Sequence, residues 1–121
     1  MFTINYDEKK NRLYLKIYSV TKDNVQQYVD ELTENLKKTK PGFTAIGDLS
    51  EAKVLSQDVA QELSTSNELV VQYGLSTEKS WASVTTSSIY RMQMKRMFGG
   101  FIKFFDTVED AHAYLDAPEL T

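Results

Sequence analysis

The sequence predicts an α/β fold in the order ββαβαβαβα, an amino-terminal β-hairpin continuing into a mostly parallel sheet packed with about four helices. Three observations carry this. Short runs of alternating or continuous apolar character take turns with longer stretches whose apolar residues recur at helical spacing. After the hairpin, one helical stretch separates each strand from the next, as parallel strands joined by right-handed crossovers require. Pro41-Gly42, Gly74 and Gly99-Gly100 fall at the joints, where helices have to stop.

Taken in order, Phe2 to Tyr6 sets Phe2, Ile4 and Tyr6 against Thr3 and Asn5, and Arg12 to Tyr18 repeats the alternation with Leu13, Leu15 and Ile17. The polar run Asp7-Glu8-Lys9-Lys10-Asn11 between them makes an antiparallel hairpin. Thr21 is the expected cap of a helix with the stripe Val25, Tyr28, Val29, Leu32, Leu36, which Pro41-Gly42 terminates. Phe43 to Leu49 is short and apolar, as a strand buried on both faces must be. Ser56 caps a second helix, with Val59, Leu63, Val70 and Tyr73 inward and Gly74 as its stop. Trp81 to Thr86 is a strand, Ser87 or Ser88 begins a third helix, and Gly99-Gly100 ends it. Phe101 to Phe105 is the last strand. Thr107 then opens a helix with Val108, Ala111, Tyr114 and Leu115 inward.

Composition removes most familiar chemistry. The 121 residues contain no Cys and one His, His112, which excludes thiolate nucleophiles, disulfides, iron-sulfur clusters and any metal site needing two imidazoles. His112 sits between Ala111 and Ala113 and reads as a surface or half-buried residue. No metal or cofactor is expected. No repeat or linker divides the chain, so residues 1–121 are read as one domain. Met1 to Asp7 has no signal-peptide pattern, and the longest near-apolar stretch, Met97 to Phe105, is far too short to span a bilayer. The expectation is a cytoplasmic protein without a transmembrane segment.

The net charge of −3 conceals an asymmetry: Lys79 to Phe105 holds five cations and no acid, while the other residues hold nine cations against seventeen acids. An acidic whole speaks against nucleic-acid binding. The local basic window suits an anionic ligand or an acidic partner.

The order of elements, together with Lys40-Pro41-Gly42-Phe43 leading through a strand to Asp48-Leu49 and a short loop to the Ser56 helix, resembles the SpoIIAA-like branch of the STAS family, the anti-sigma-factor antagonist type. The resemblance runs over almost the whole chain. It implies a small non-enzymatic regulatory or ligand-binding module, of the kind also described as STAS/SEC14-like. In the antagonists a kinase phosphorylates a Ser at the start of the helix after this strand, in an Asp-Ser-Ser-Gly-like setting. The matching stretch here is Leu55-Ser56-Gln57-Asp58, without the second Ser and without the Gly.

Candidate residues follow from the loops beyond the carboxyl ends of the parallel strands, where such sheets place their sites. Ser56 is a helix cap or a phosphosite. Asp48 and Ser50 lie at a strand end, although Asp48 has no partner carboxylate at a diagnostic spacing, so no catalytic residue is assigned. Thr85, Thr86, Ser87 and Ser88 run four hydroxyls into a helix start, with Arg91 and Arg96 in the following turns, a pattern suited to an anion or to an ordinary cap. On the third helix, Ile89, Met92, Arg96 and Gly99 or Gly100 are taken as one face, which leaves Tyr90, Met94, Met97 and Phe98 as surplus apolar groups and a candidate interface. A homodimer contact, a groove for an apolar ligand with an anionic head, and a peripheral membrane contact compete for this helix, and the homodimer demands least. Across classes, the reading is a binding module, with lipid or fatty-ligand binding or an enzyme acting on a small anionic substrate as alternatives.

Overall fold

The computed structural model describes residues 2–52, 56–74, 81–98 and 102–116. Strands β1 (Phe2–Asp7) and β2 (Arg12–Ile17) pair antiparallel, with Phe2 opposite Ile17 and Asp7 opposite Arg12. Their turn is closed by Asp7 Oδ1, which accepts from the amides of Lys9 and Lys10 at 3.0 and 3.3 Å. Asn11 takes φ +50°, a region that Asn tolerates better than most residues. Its side chain clamps the approach to the next strand, accepting from Lys40 N and donating to Lys40 O, both at 3.0 Å.

Three parallel strands follow: β3 (Thr44–Asp48), β4 (Trp81–Val84) and β5 (Ile102–Phe105). The sheet order is β1-β2-β3-β4-β5, so every crossover moves one strand along in the same direction. Helices α1 (Val25–Leu36), α2 (Gln57–Gln72) and α3 (Ser88–Phe98) bury Tyr28, Leu32, Val59, Leu63, Tyr90 and Met94 in one core with Leu13, Leu15 and Ala45. Helix α4 (Val108–Asp116) lies on the other face, where Ala111 and Leu115 cover Ile46, Ala82 and Val84. Adjacent residues Ala45 and Ile46 thus enter different cores, as strand alternation demands.

The element order matches the prediction, and the differences lie at the ends. Helix α1 starts at Val25 rather than directly after Thr21, because Thr21 O first closes a turn by accepting from Asn24 N and Val25 N. Asn24 holds the cap position, but its Oδ1 is turned back onto Thr21 N at 2.7 Å. Strand β2 stops before Tyr18, and β4 stops before Thr85 and Thr86. Ser56 caps α2 as expected, accepting from Val59 N at 3.3 Å. Gly74 follows that helix at φ +95° and passes its carbonyl to Gly42 N at 2.7 Å, so the two predicted stops are bonded to each other. Gly99 and Gly100 lie outside the described residues.

Candidate functional site

The carboxyl ends of β3, β4 and β5 sit side by side, tied by Leu49 N to Val84 O at 2.8 Å and Thr85 N to Phe105 O at 3.0 Å. The loops they release carry the residues singled out from the sequence. Asp48 is buried and its Oδ1 accepts from both the amide and the hydroxyl of Ser50, at 3.1 and 2.6 Å. This is an Asx turn, a local use of the carboxylate that leaves one oxygen over. The Asp48 charge also faces Tyr14, whose hydroxyl is pushed up first by burial and then by that carboxylate.

On the next loop the buried Thr85 hydroxyl accepts from Ser87 N at 3.2 Å, and the Ser87 hydroxyl accepts from Tyr90 N at 3.1 Å. Ser87 is therefore the working cap of α3, while Thr86 and Ser88 are exposed. Arg91 does not point outward. Its Nε and Nη2 donate to Thr85 O at 3.0 and 2.8 Å, its Nη2 also meets Asp106 Oδ1 at 2.9 Å, and its guanidinium lies 5.6 Å from the Phe104 ring centroid. One side chain thus spans the loops after β4 and β5 in a fixed fork geometry.

Helix α3 is turned the opposite way from the expectation. Tyr90 is 1% exposed and Met94 is buried, whereas Ile89 and Met92 are 63% and 54% exposed. Tyr90 and Met94 are core residues and cannot be interface groups. The physical reason is Arg96, which shares the Ile89–Met92 stripe; sealing that stripe against the sheet would have buried a guanidinium without a partner. The Met97 and Phe98 side chains lie outside what the structure describes. Lys95 and Arg96 are exposed and make no ion pair among the described residues.

The Tyr90 hydroxyl is buried without a hydrogen-bond partner, and burial pushes it up to about 12. Burial, and then Tyr90, also raise the Tyr28 hydroxyl. A groove between the starts of α1 and α2 is lined by Lys22, Val25, Gln26, Asp58, Gln61 and Glu62. Lys22 is paired with Asp58 at 2.9 Å, so its net lining is acidic and does not suit the anionic ligand expected from the basic window.

Sequence reasoning missed a polar cluster at the other end of the sheet. Arg12, 4% exposed, donates through Nε to Thr44 Oγ1 at 2.9 Å, through Nη1 to His112 Nδ1 at 3.0 Å and through Nη2 to Asp116 Oδ1 at 2.9 Å. Lys10 Nζ meets the other Asp116 oxygen at 2.9 Å, and the His112 ring stacks on Tyr14 with centroids 6.2 Å apart. The available signal was parity: Arg12 alternates with Leu13 and so faces the α4 side. Among the described residues no three His, Asp or Glu side chains are grouped as metal ligands, and no helix is long and apolar enough to cross a membrane.

With this geometry in place, comparison with solved structures is decisive for the architecture. An uncharacterised protein of the DUF3478 family from Shewanella loihica PV-4, described as having a SpoIIAA-like fold, superimposes with a TM-score of 0.65. The match is 21% identical and covers 94% of this chain and 93% of that one. The chain has a SpoIIAA-like fold. No protein-family model and no curated protein matches it. The SpoIIAA-like assignment made from Lys40-Pro41-Gly42-Phe43, Asp48-Leu49 and the order of elements therefore holds at the level of fold.

Proposed function

We propose that this chain is a non-enzymatic regulatory module that works by binding, through contact with a protein or with an anionic, partly apolar ligand. The observation that carries the reading is how the polar groups beyond the strand ends are used. Asp48 is engaged by Ser50, Thr85 and Ser87 close the start of α3, and Arg91 braces two loops. The one hydroxyl–carboxylate pair among them, Ser50 to Asp48 at 2.6 Å, joins residues two apart within an Asx turn in which the same carboxylate oxygen also accepts the Ser50 amide, and none of these contacts adds the third group that orients a base for acyl or phosphoryl transfer. Among the described residues after β4, Thr86, Ser88 and the outer stripe of α3 are exposed and available to a partner.

In this reading residues 1–121 act as one cytoplasmic module without a cofactor, and Ser56 serves α2 as a cap rather than as a switch. A second reading, carriage of a lipid-like ligand, is favoured by one observation: the Tyr90 hydroxyl lies in the apolar core without a partner. Native mass spectrometry of the purified chain, alongside turnover assays on phosphate and carboxylate esters, tests both. The expected result is the mass of the chain with no small molecule attached, and no turnover. A co-purified fatty ligand would favour carriage. Turnover that disappears in Asp48→Asn, with the fold intact, would make the chain an enzyme.

A further inference from the structure

We propose that the outer stripe of α3 is a docking surface for an acidic, amphipathic segment of a partner protein, an inference that rests on reading the chain as a binding module. At about 100° per residue, Ile89, Met92, Lys95 and Arg96 fall within roughly a 120° arc opposite Tyr90 and Met94. That arc is graded along the helix. Its first half shows Ile89 and Met92, both more than half exposed, and its second half shows Lys95 and Arg96.

Charge decides what fits. Helix α3 contains no acid, and its third cation, Arg91, is already spent on Thr85 O and Asp106. Lys95 and Arg96 are thus two adjacent cations without an ion pair among the described residues, on a helix with no acid, in a chain whose net charge is −3. A partner that pairs carboxylates with them and lays apolar side chains on Ile89 and Met92 would satisfy both halves, which is the logic of an amphipathic helix on a helix face.

A second copy fits poorly. A two-fold axis through α3 with antiparallel helices lays Ile89 and Met92 of one copy on the cationic half of the other, and parallel helices oppose like charges. Neither arrangement supplies a carboxylate from α3 itself. An anionic membrane would meet Lys95 and Arg96 but also the net negative charge of the whole chain, with only two large apolar groups described on the stripe to insert.

The test uses the full chain, labelled for amide NMR, and a synthetic helical peptide with Leu at heptad spacing and Glu between. Shifts should centre on Ile89 to Arg96. Affinity should fall about tenfold in Lys95→Glu/Arg96→Glu, and it should weaken with added salt. A matched peptide with Lys in place of Glu should not bind. Met92→Ser, an exposed change that leaves the core alone, should weaken binding without altering the circular dichroism spectrum. Shifts elsewhere, none at millimolar peptide, or equal binding of the Lys peptide would overturn the proposal. So would binding to phosphatidylglycerol vesicles but not to the peptide, or a dimer in sedimentation that Met92→Asp abolishes. The binding-module reading fails separately, through turnover, so the two failures are distinguishable.

Discussion

Arg12 and His112 meet across the interface between β2 and α4, with the guanidinium Nη1 donating to the imidazole Nδ1 at 3.0 Å. A guanidinium has no lone pair to offer, so this contact requires neutral His112 with its proton on Nε2. Protonation would leave two cations facing each other. Burial first, and then the Arg12 charge and Lys10, hold His112 below its ordinary value, against weaker opposing effects of Asp116 and Asp7.

The pH dependence follows from that direction. Because the folded-state pKa is lowered, stability is complete above about 6.5, the unfolded histidine value, and falls as pH drops through it toward the folded value. Asp116 adds a second acid-side loss. Hydrogen bonding to Lys10 chiefly, and to Arg12, holds its carboxyl below the usual carboxylate range, so its contribution is present above that range and lost as pH falls further. Denaturation midpoints between pH 8 and pH 3 should show both, and His112→Asn, whose amide oxygen replaces Nδ1 as acceptor, should remove the first. An unchanged profile in that variant would place the titrating group elsewhere.

Tyr90→Phe should leave the fold intact and stabilise it by up to about 1 kcal/mol, since it deletes a buried hydroxyl that has no partner. Thermal unfolding checks this. A loss of 2 kcal/mol or more, on the scale of breaking a made hydrogen bond, would show that the hydroxyl is bonded in solution.

Ser56→Ala should cost about 1 kcal/mol by removing the hydroxyl that accepts from Val59 N. Ser56→Asp should recover most of it, because Asp also caps. If alanine is silent in chemical denaturation while aspartate abolishes partner binding, Ser56 is a switch and not a cap.

The two glycine joints should differ. Gly42→Ala meets nothing within 4 Å and bears only the strain of φ +86°, about 1 kcal/mol. At Gly74, φ +95° is combined with a Cβ placed 3.0 Å from Pro41 Cα. Its alanine variant should therefore be the less stable of the two by denaturant titration, and the reverse order would mean that the Gly42–Gly74 junction relaxes freely.

How much of this was readable beforehand depends on how far apart the cooperating residues lie. The hairpin, the four helices and the Ser56 and Thr107 caps are local, written in periods of two and 3.6 residues and in residues three apart. Strand order is not local, because alternation says which face a residue takes but not which strand lies beside it. The α3 phase was readable in principle. Two apolar stripes competed there, and the cation in one of them, Arg96, should have ruled it out of the core. For the Arg12–His112–Asp116 cluster, parity gave only the face that Arg12 takes; its partners on α4 lie a hundred residues further along and reach it only because α4 packs on that face of the sheet.

Arg91 decides between two views of the loops at the carboxyl ends. As an anion ligand it would be free to turn outward, whereas the structure commits it to the Thr85 carbonyl, to Asp106 and to the Phe104 ring. Its removal leaves a carbonyl on a buried residue without its charged donors, a cost of about 1–2 kcal/mol once its partial exposure is allowed for. Arg91→Ala should therefore speed amide exchange at Thr85 to Ser88 and at Asp106 and Thr107, and lower the denaturation midpoint modestly. Arg91→Lys should recover little, because one ammonium cannot reproduce the two-pronged contact with Thr85 O. Exchange that stays slow in Arg91→Ala, with phosphate affinity lost in the same variant, would reverse the assignment and make Arg91 the anion-binding residue.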